Sequence, residues 1–142
     1  MIRRVKSHHV VAFASIMVGL SFLFERYVLL SAALIGPVAL LDWIPGPLSA
    51  IQVWGFFFVV GSIGILISWT PLVRSIFLVF GAASWAIFAA TSLYQSLVGP
   101  NASTTGSLLG IILVFFVLRF LIAIRDVVTD FTSRKSRATL DA

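Results

Sequence analysis

The sequence has no cysteine, only five acidic residues, and few charges of either sign: Asp, Glu, Lys and Arg make up 11% of its 142 residues. Each shortage excludes something. Without cysteine there is no disulfide framework, thiolate nucleophile, iron–sulfur cluster or cysteine-ligated zinc. Soluble domains average about 25% charged and roughly 45–50% apolar residues. Here the apolar share is 60% and the mean hydropathy +1.10. Composition therefore argues against a water-soluble globule, and the length allows one domain. The motifs of phosphate-binding loops, serine hydrolases and zinc proteases are also missing. The basic residues flank apolar stretches and have no interleaved aromatic platform, so nucleic-acid binding is not expected. The expectation is a protein that is not an enzyme and holds no cofactor or metal.

What the chain does have is long apolar runs. A bilayer core about 30 Å thick is crossed by roughly 17–25 apolar residues in a helix. Four stretches answer to this: 7–24, 51–69, 72–93 and 108–124. The second contains one amide, Gln52. The third is interrupted only by Arg74, and the fourth only by Arg119. Segment 27–41 is apolar around its whole circumference but short, and Gly36-Pro37 breaks it, because proline removes a helix hydrogen bond and clashes with the preceding turn. Asp42-Trp43-Ile44-Pro45-Gly46-Pro47 reads as a loop.

Charge asymmetry arbitrates between four and five spans, because Lys and Arg accumulate in short cytoplasmic loops. With four spans and both termini inside, every Lys and Arg except Arg26 falls on the inner side. With five spans, only Arg3, Arg4 and Lys6 remain there. The expected fold is therefore an all-α, four-span bundle, N-in/C-in. Residues 1–132 form the transmembrane domain, 27–41 lies as a short helix against the outer ends of the spans, and 133–142 forms a basic cytoplasmic tail. Trp54, Trp69, Tyr27, Trp43 and Tyr94 are expected at the membrane boundaries, where amphipathic rings prefer to lie. Trp85, well inside the third span, is read as packing. The basic start and the apolar run from Val10 to Phe24 imitate a signal peptide. Phe22-Leu23-Phe24-Glu25 offers no small-residue cleavage site, so an uncleaved span is expected.

Thr70-Pro71 predicts a tight antiparallel hairpin between the second and third spans, whereas 95–105 reads as an uncharged outer loop. Asn101-Ala102-Ser103 matches the glycosylation triplet, which matters only in a eukaryotic secretory protein. Small residues mark helix contacts in lipid. Candidates for helix packing or for self-association are Ala82, Ala86 and Ala90 at four-residue spacing, with Gly61, Gly64, Ser68, Gly106, Gly110, Ser15 and Gly19 in similar roles. After Ile124 the helix is expected to continue with an apolar strip of Val127, Val128 and Phe131 and an Asp130–Arg134 pair.

Intramembrane ionisable residues are the default functional suspects, and Arg119 is the one candidate; its position nearer the inner surface also suits snorkelling. Glu25 and Asp42 lie outside near the surface, without a nucleophile or metal ligand beside them, and read as structural. His8 and His9 are adjacent, so on a helix they point to different faces and are poorly placed to share a metal.

The opening Arg3-Arg4-Val5-Lys6-Ser7-His8-His9-Val10-Val11-Ala12-Phe13-Ala14-Ser15, the turn over 41–47 and Ile51-Gln52-Val53-Trp54-Gly55 resemble the small four-span membrane proteins carried by bacteriophages of actinobacteria. The likeness is one of architecture over most of the chain, carried by short motifs. Such proteins mostly have no assigned activity, although some phage membrane proteins of this size are holins, which oligomerise and open the inner membrane. Three functions stay open. One is an accessory protein that binds a membrane partner (itself or another membrane protein) in the lipid bilayer. The second is a holin-like oligomer, with Ser84 and Thr91 as the polar residues available to line a hole. The third is a small-solute transporter or channel, which lacks a mid-membrane acid.

Overall fold

A computed structural model describes residues 6–24, 37–38, 41, 46–98 and 104–140. The described chain is helical, with four long helices: α1 (Ser7–Leu23), α2 (Ala50–Ile67), α3 (Pro71–Val98) and α4 (Thr104–Leu140). Two of them, α2 and α3, are long and apolar enough to cross a membrane; α1 is a shorter apolar helix. α4 runs 37 residues, apolar in its first half and charged in its second.

Local chemistry sets the helix ends. Ser49 caps α2: its hydroxyl accepts from Gln52 N at 3.3 Å while Gln52 Oε1 accepts from Ser49 N at 3.0 Å, a reciprocal capping box. Only Ser68, Trp69 and Thr70 separate α2 from α3. Thr70 Oγ1 accepts from Val73 N at 3.3 Å, and Pro71 takes the first helical position, where its missing N–H is no loss. Arg74 Nη2 donates to Ser68 O at 2.6 Å, placing a cation at the carbonyl end of α2. The expected hairpin is thus present, although α2 stops at Ile67, short of Trp69.

The helices close into an antiparallel ring in chain order. α1 packs along α2 and α3 along α4 most extensively, α2 on α3 less so, and α1 on α4 most sparsely. Glycines let the backbones approach. At the α1–α2 crossing, a Cβ added to Gly55 would lie 2.7 Å from Gly19 O, and one on Gly19 would lie 2.8 Å from Gly55 O. Phe77 fills the space beside Gly64 and Phe80 that beside Gly61. Phe120 lies over Gly81, and Leu93 over Gly110.

An aromatic chain runs through the interior and draws on every helix. Phe58 stacks face to face on Trp85 at 4.2 Å; Phe22, Trp54 and Phe88 surround that pair, and Trp85 meets Phe116 edge-on at 4.6 Å. Such pairs contribute about 0.5–1.5 kcal/mol beyond area burial. Two indoles have polar partners as well: Trp85 Nε1 donates to Ser15 Oγ at 2.7 Å, and Trp54 Nε1 to Pro37 O at 2.8 Å. Trp54 is therefore a core residue, not the boundary aromatic expected of it, because a carbonyl from a distant segment satisfies its N–H. Trp69 is almost fully exposed, and Tyr94 is exposed too.

Further corrections concern boundaries. The third helix continues through Gln95 to Val98, and the fourth starts at Thr104, so most of the outer loop expected over 95–105 is helical, while 99–103 lie outside the described residues. α4 also carries the expected basic tail as helix to Leu140. Of segment 27–41, Pro37 is buried and Val38 and Leu41 pack against the core; its other residues, with Glu25, Arg26, Asp42 and Trp43, lie outside the described residues.

Candidate functional site

α1 and α4 are the least extensively packed neighbours in the ring, and a cleft separates them. Its end nearest the start of α1 is a cavity of about 990 Å³ lined in part by Lys6, His8, Arg119, Arg125, Asp126 and Asp130. Next to it lies an apolar cavity of about 640 Å³, whose walls include Ala14, Val18, Ile112 and Phe115, with Trp85 also in its lining. Phe116 and Arg119 border both cavities, so Arg119 stands where polar lining gives way to apolar.

Helix periodicity explains this placement. α1 and α4 run antiparallel, which sets Lys6 and His8 beside 125–130 and sets Ala14 and Val18 beside 112–118. Arg119 is exposed, and no ion pair to it is found among the described residues. Arg125 Nη2 lies 3.5 Å from Asp126 Oδ1, with both side chains well exposed. Asp130, expected to pair with Arg134 on its own helix, borders the cavity. His8 is buried, and its Nε2 has no hydrogen-bond partner among the described residues; Lys6, His9, Arg74 and Asp130 are the charged or titratable groups around it. His9 points outward, yet its ring still lies 4.3 Å from that of His8. Among the described residues, no group of three or more His, Asp or Glu is arranged to hold a metal.

The small-residue candidates separate into two sets. Ala82 is buried, whereas Ala86 and Ala90 face outward, so the three do not share one packed face. Four-residue steps advance by 400°, and this drift of about 40° per step carries Ala86 and then Ala90 progressively off the face that buries Ala82. Gly61 and Gly110 sit inside helix contacts, against Phe80 and Leu93. Gly106 falls in the first turn of α4, and its surroundings lie outside the described residues. Ser84 Oγ donates to Phe80 O at 2.9 Å and Thr91 Oγ1 to Ile87 O at 2.8 Å, which leaves their oxygen lone pairs, not their protons, for other partners.

The buried His8, the Trp85–Ser15 bond and the Arg74 cap were missed from sequence. Of these, only Arg74 left a signal, as a cation four residues after Thr70 in a hairpin that needs its carbonyls satisfied. No protein-family model matches the chain, and comparison with curated proteins and with solved structures finds no match.

Proposed function

We propose that the chain is an integral protein of a bacterial inner membrane, with four spans and both termini inside, that acts without catalysis by binding another membrane component. One observation carries the membrane part: all four helices turn large apolar side chains outward. Phe13 and Met17 on α1, Phe56 and Ile67 on α2, Leu72 and Ile76 on α3, and Ile112 and Phe115 on α4 are all exposed. In α2 and α3, 44% of the most apolar window is buried within the protein, and the rest of it is partly or fully exposed. Monomeric soluble proteins rarely expose apolar patches beyond a few hundred Å², and lipid is the solvent that such a surface suits. The interior, by contrast, holds Ser15, Ser62, Ser92 and Ser96.

Charge placement supports the orientation. Apart from Arg119, the described Lys and Arg residues gather at the end of the bundle formed by the start of α1, the α2–α3 turn and the second half of α4. That end takes the cytoplasmic side, where basic residues accumulate. At 1.5 Å per residue, α4 is about 55 Å long and outruns a 30 Å hydrocarbon core, so its last turns carry Arg134, Lys135 and Arg137 into the cytoplasm.

The accessory role rests on the internal completeness of the bundle, whose aromatic core needs no second copy. A second reading, a holin-like oligomer, draws on Ala86 and Ala90, which present small residues outward on α3. Expression in a bacterial host with a potential-sensitive dye separates the two. A steady potential, with the protein verified in the inner membrane, is expected. Abrupt depolarisation at a reproducible time, followed by release of a co-expressed muralytic enzyme, would replace the accessory reading with the holin-like one.

A further inference from the structure

We infer that the cleft between α1 and α4 binds one anionic phospholipid of the inner leaflet, with its phosphate at Arg119 and an acyl chain in the apolar cavity beyond. The inference rests on the membrane reading above. The cleft changes character along its length: Ala14, Val18, Ile112 and Phe115 wall the apolar part, and Lys6, Arg119 and Arg125 border the other. That succession, apolar depth then cationic mouth, is the chemistry of a lipid rather than of a solute, which would meet an apolar wall, or of a second bundle, which would meet unpaired cations.

Charge complementarity selects an anionic headgroup. Lys6, Arg119 and Arg125 supply three positive charges against Asp126 and Asp130, which leaves one in excess (3 − 2 = 1) to match a single phosphodiester. Asp126 is already engaged with Arg125. Arg119 has no such acid among the described residues, and its planar guanidinium offers the paired donors that phosphate oxygens accept. From Arg119 to Arg125 the helix rises about 9 Å, so the basic residues span the depth at which a headgroup lies next to the hydrocarbon. Access is lateral, because α1 and α4 are the least closely packed neighbours in the ring.

Native mass spectrometry of the full chain, released from mild detergent with equal amounts of phosphatidylglycerol and phosphatidylethanolamine of the same acyl chains, tests this. One phosphatidylglycerol should be retained in preference. Arg119→Gln should lower its occupancy about fivefold, the equivalent of about 1 kcal/mol for one basic residue near an anionic surface. Ala14→Phe, which fills the apolar cavity, should remove both lipids. Arg134→Gln, the same charge change on the exposed tail, should change nothing. Equal retention of the two lipids, an Arg119→Gln variant that binds as the parent does, an Arg134→Gln loss as large as that of Arg119→Gln, or a lipid-free dimer would overturn the lipid site. An alkaline wash of membranes keeps the two claims apart. Chain retained in the pellet without lipid preference overturns the cleft alone, whereas chain in the supernatant overturns the membrane reading and the cleft with it.

Discussion

Gly55→Ala is a small perturbation at the point where two backbones meet. The added Cβ would lie 2.7 Å from Gly19 O and 3.0 Å from Leu23 N, both main-chain atoms that no rotamer change moves aside. Restoring an ordinary contact of 3.4 Å requires α1 and α2 to part by about 0.7 Å, a gap that forfeits a quarter to a half of each dispersion well along the crossing. Overpacking of this kind costs about 1–3 kcal/mol, and the better helix propensity of alanine returns about 1 kcal/mol, so a net loss of about 1 kcal/mol is expected. If the bundle lies in lipid as proposed, no hydrophobic term between helices offsets the lost contacts. Gly46→Ala is the matched control, since nothing lies within 4 Å of its added Cβ; its effect should stay within about 0.5 kcal/mol. Reversible unfolding in detergent micelles measures both. Gly19→Ala should resemble Gly55→Ala, and the double variant should lose less than the two singles together, because each clash relieves the other. A Gly55→Ala protein as stable as the parent, or more stable, would refute close backbone crossing as what joins α1 to α2.

Other consequences are open to measurement. A double-mutant cycle on Ser15→Ala and Trp85→Phe should return a coupling of about 0.6–1.7 kcal/mol, the range found for hydrogen bonds between membrane helices; zero coupling would mean that the 2.7 Å contact contributes nothing. Arg74→Gln should weaken the α2–α3 hairpin by about 1–2 kcal/mol, because a charged donor to Ser68 O is lost; unchanged unfolding would show that water or lipid headgroups replace it. Ala86→Leu adds bulk on an outward face and should leave monomer stability unchanged. If cross-linked oligomers form in the parent and vanish in this variant, the holin-like reading gains; if no oligomers form in either, it is dismissed.

How much was legible in the sequence differed between elements. The α2–α3 hairpin was readable because proline and threonine act within one turn, and local chemistry needs no knowledge of the rest of the fold. The C-terminal end of α3 and the start of α4 are not legible in the sequence, because Gln95, Ser96 and the Thr–Ser run before Leu108 are polar and read as loop. Ser96 is in fact buried, where a hydroxyl in a helix readily finds a carbonyl. Trp54 deceived for the opposite reason. Its position near a helix end suited a membrane boundary, but its indole partner, Pro37 O, lies 17 residues away and belongs to a segment whose docking sequence patterns do not encode. Arg119 stands out in the sequence as a charge in an apolar run. That it borders two cavities depends on how far α1 stands from α4, which is a property of packing. Of the alanine stripe, Ala82 enters the core, while 3.6 residues per turn rotate Ala86 and Ala90 outward, a difference that spacing alone does not reveal.

The absence of cysteine from the chain makes single-cysteine labelling the most direct test of four spans with both termini inside. Cysteines placed one at a time at Gly46, Trp69, Gly99 and Lys135 would be exposed to a membrane-impermeant maleimide in spheroplasts, before and after permeabilisation. The account predicts labelling at 46 and 99 in intact spheroplasts, and at 69 and 135 only after permeabilisation. Labelling of 69 or 135 from outside, or protection of 46 and 99, would contradict it.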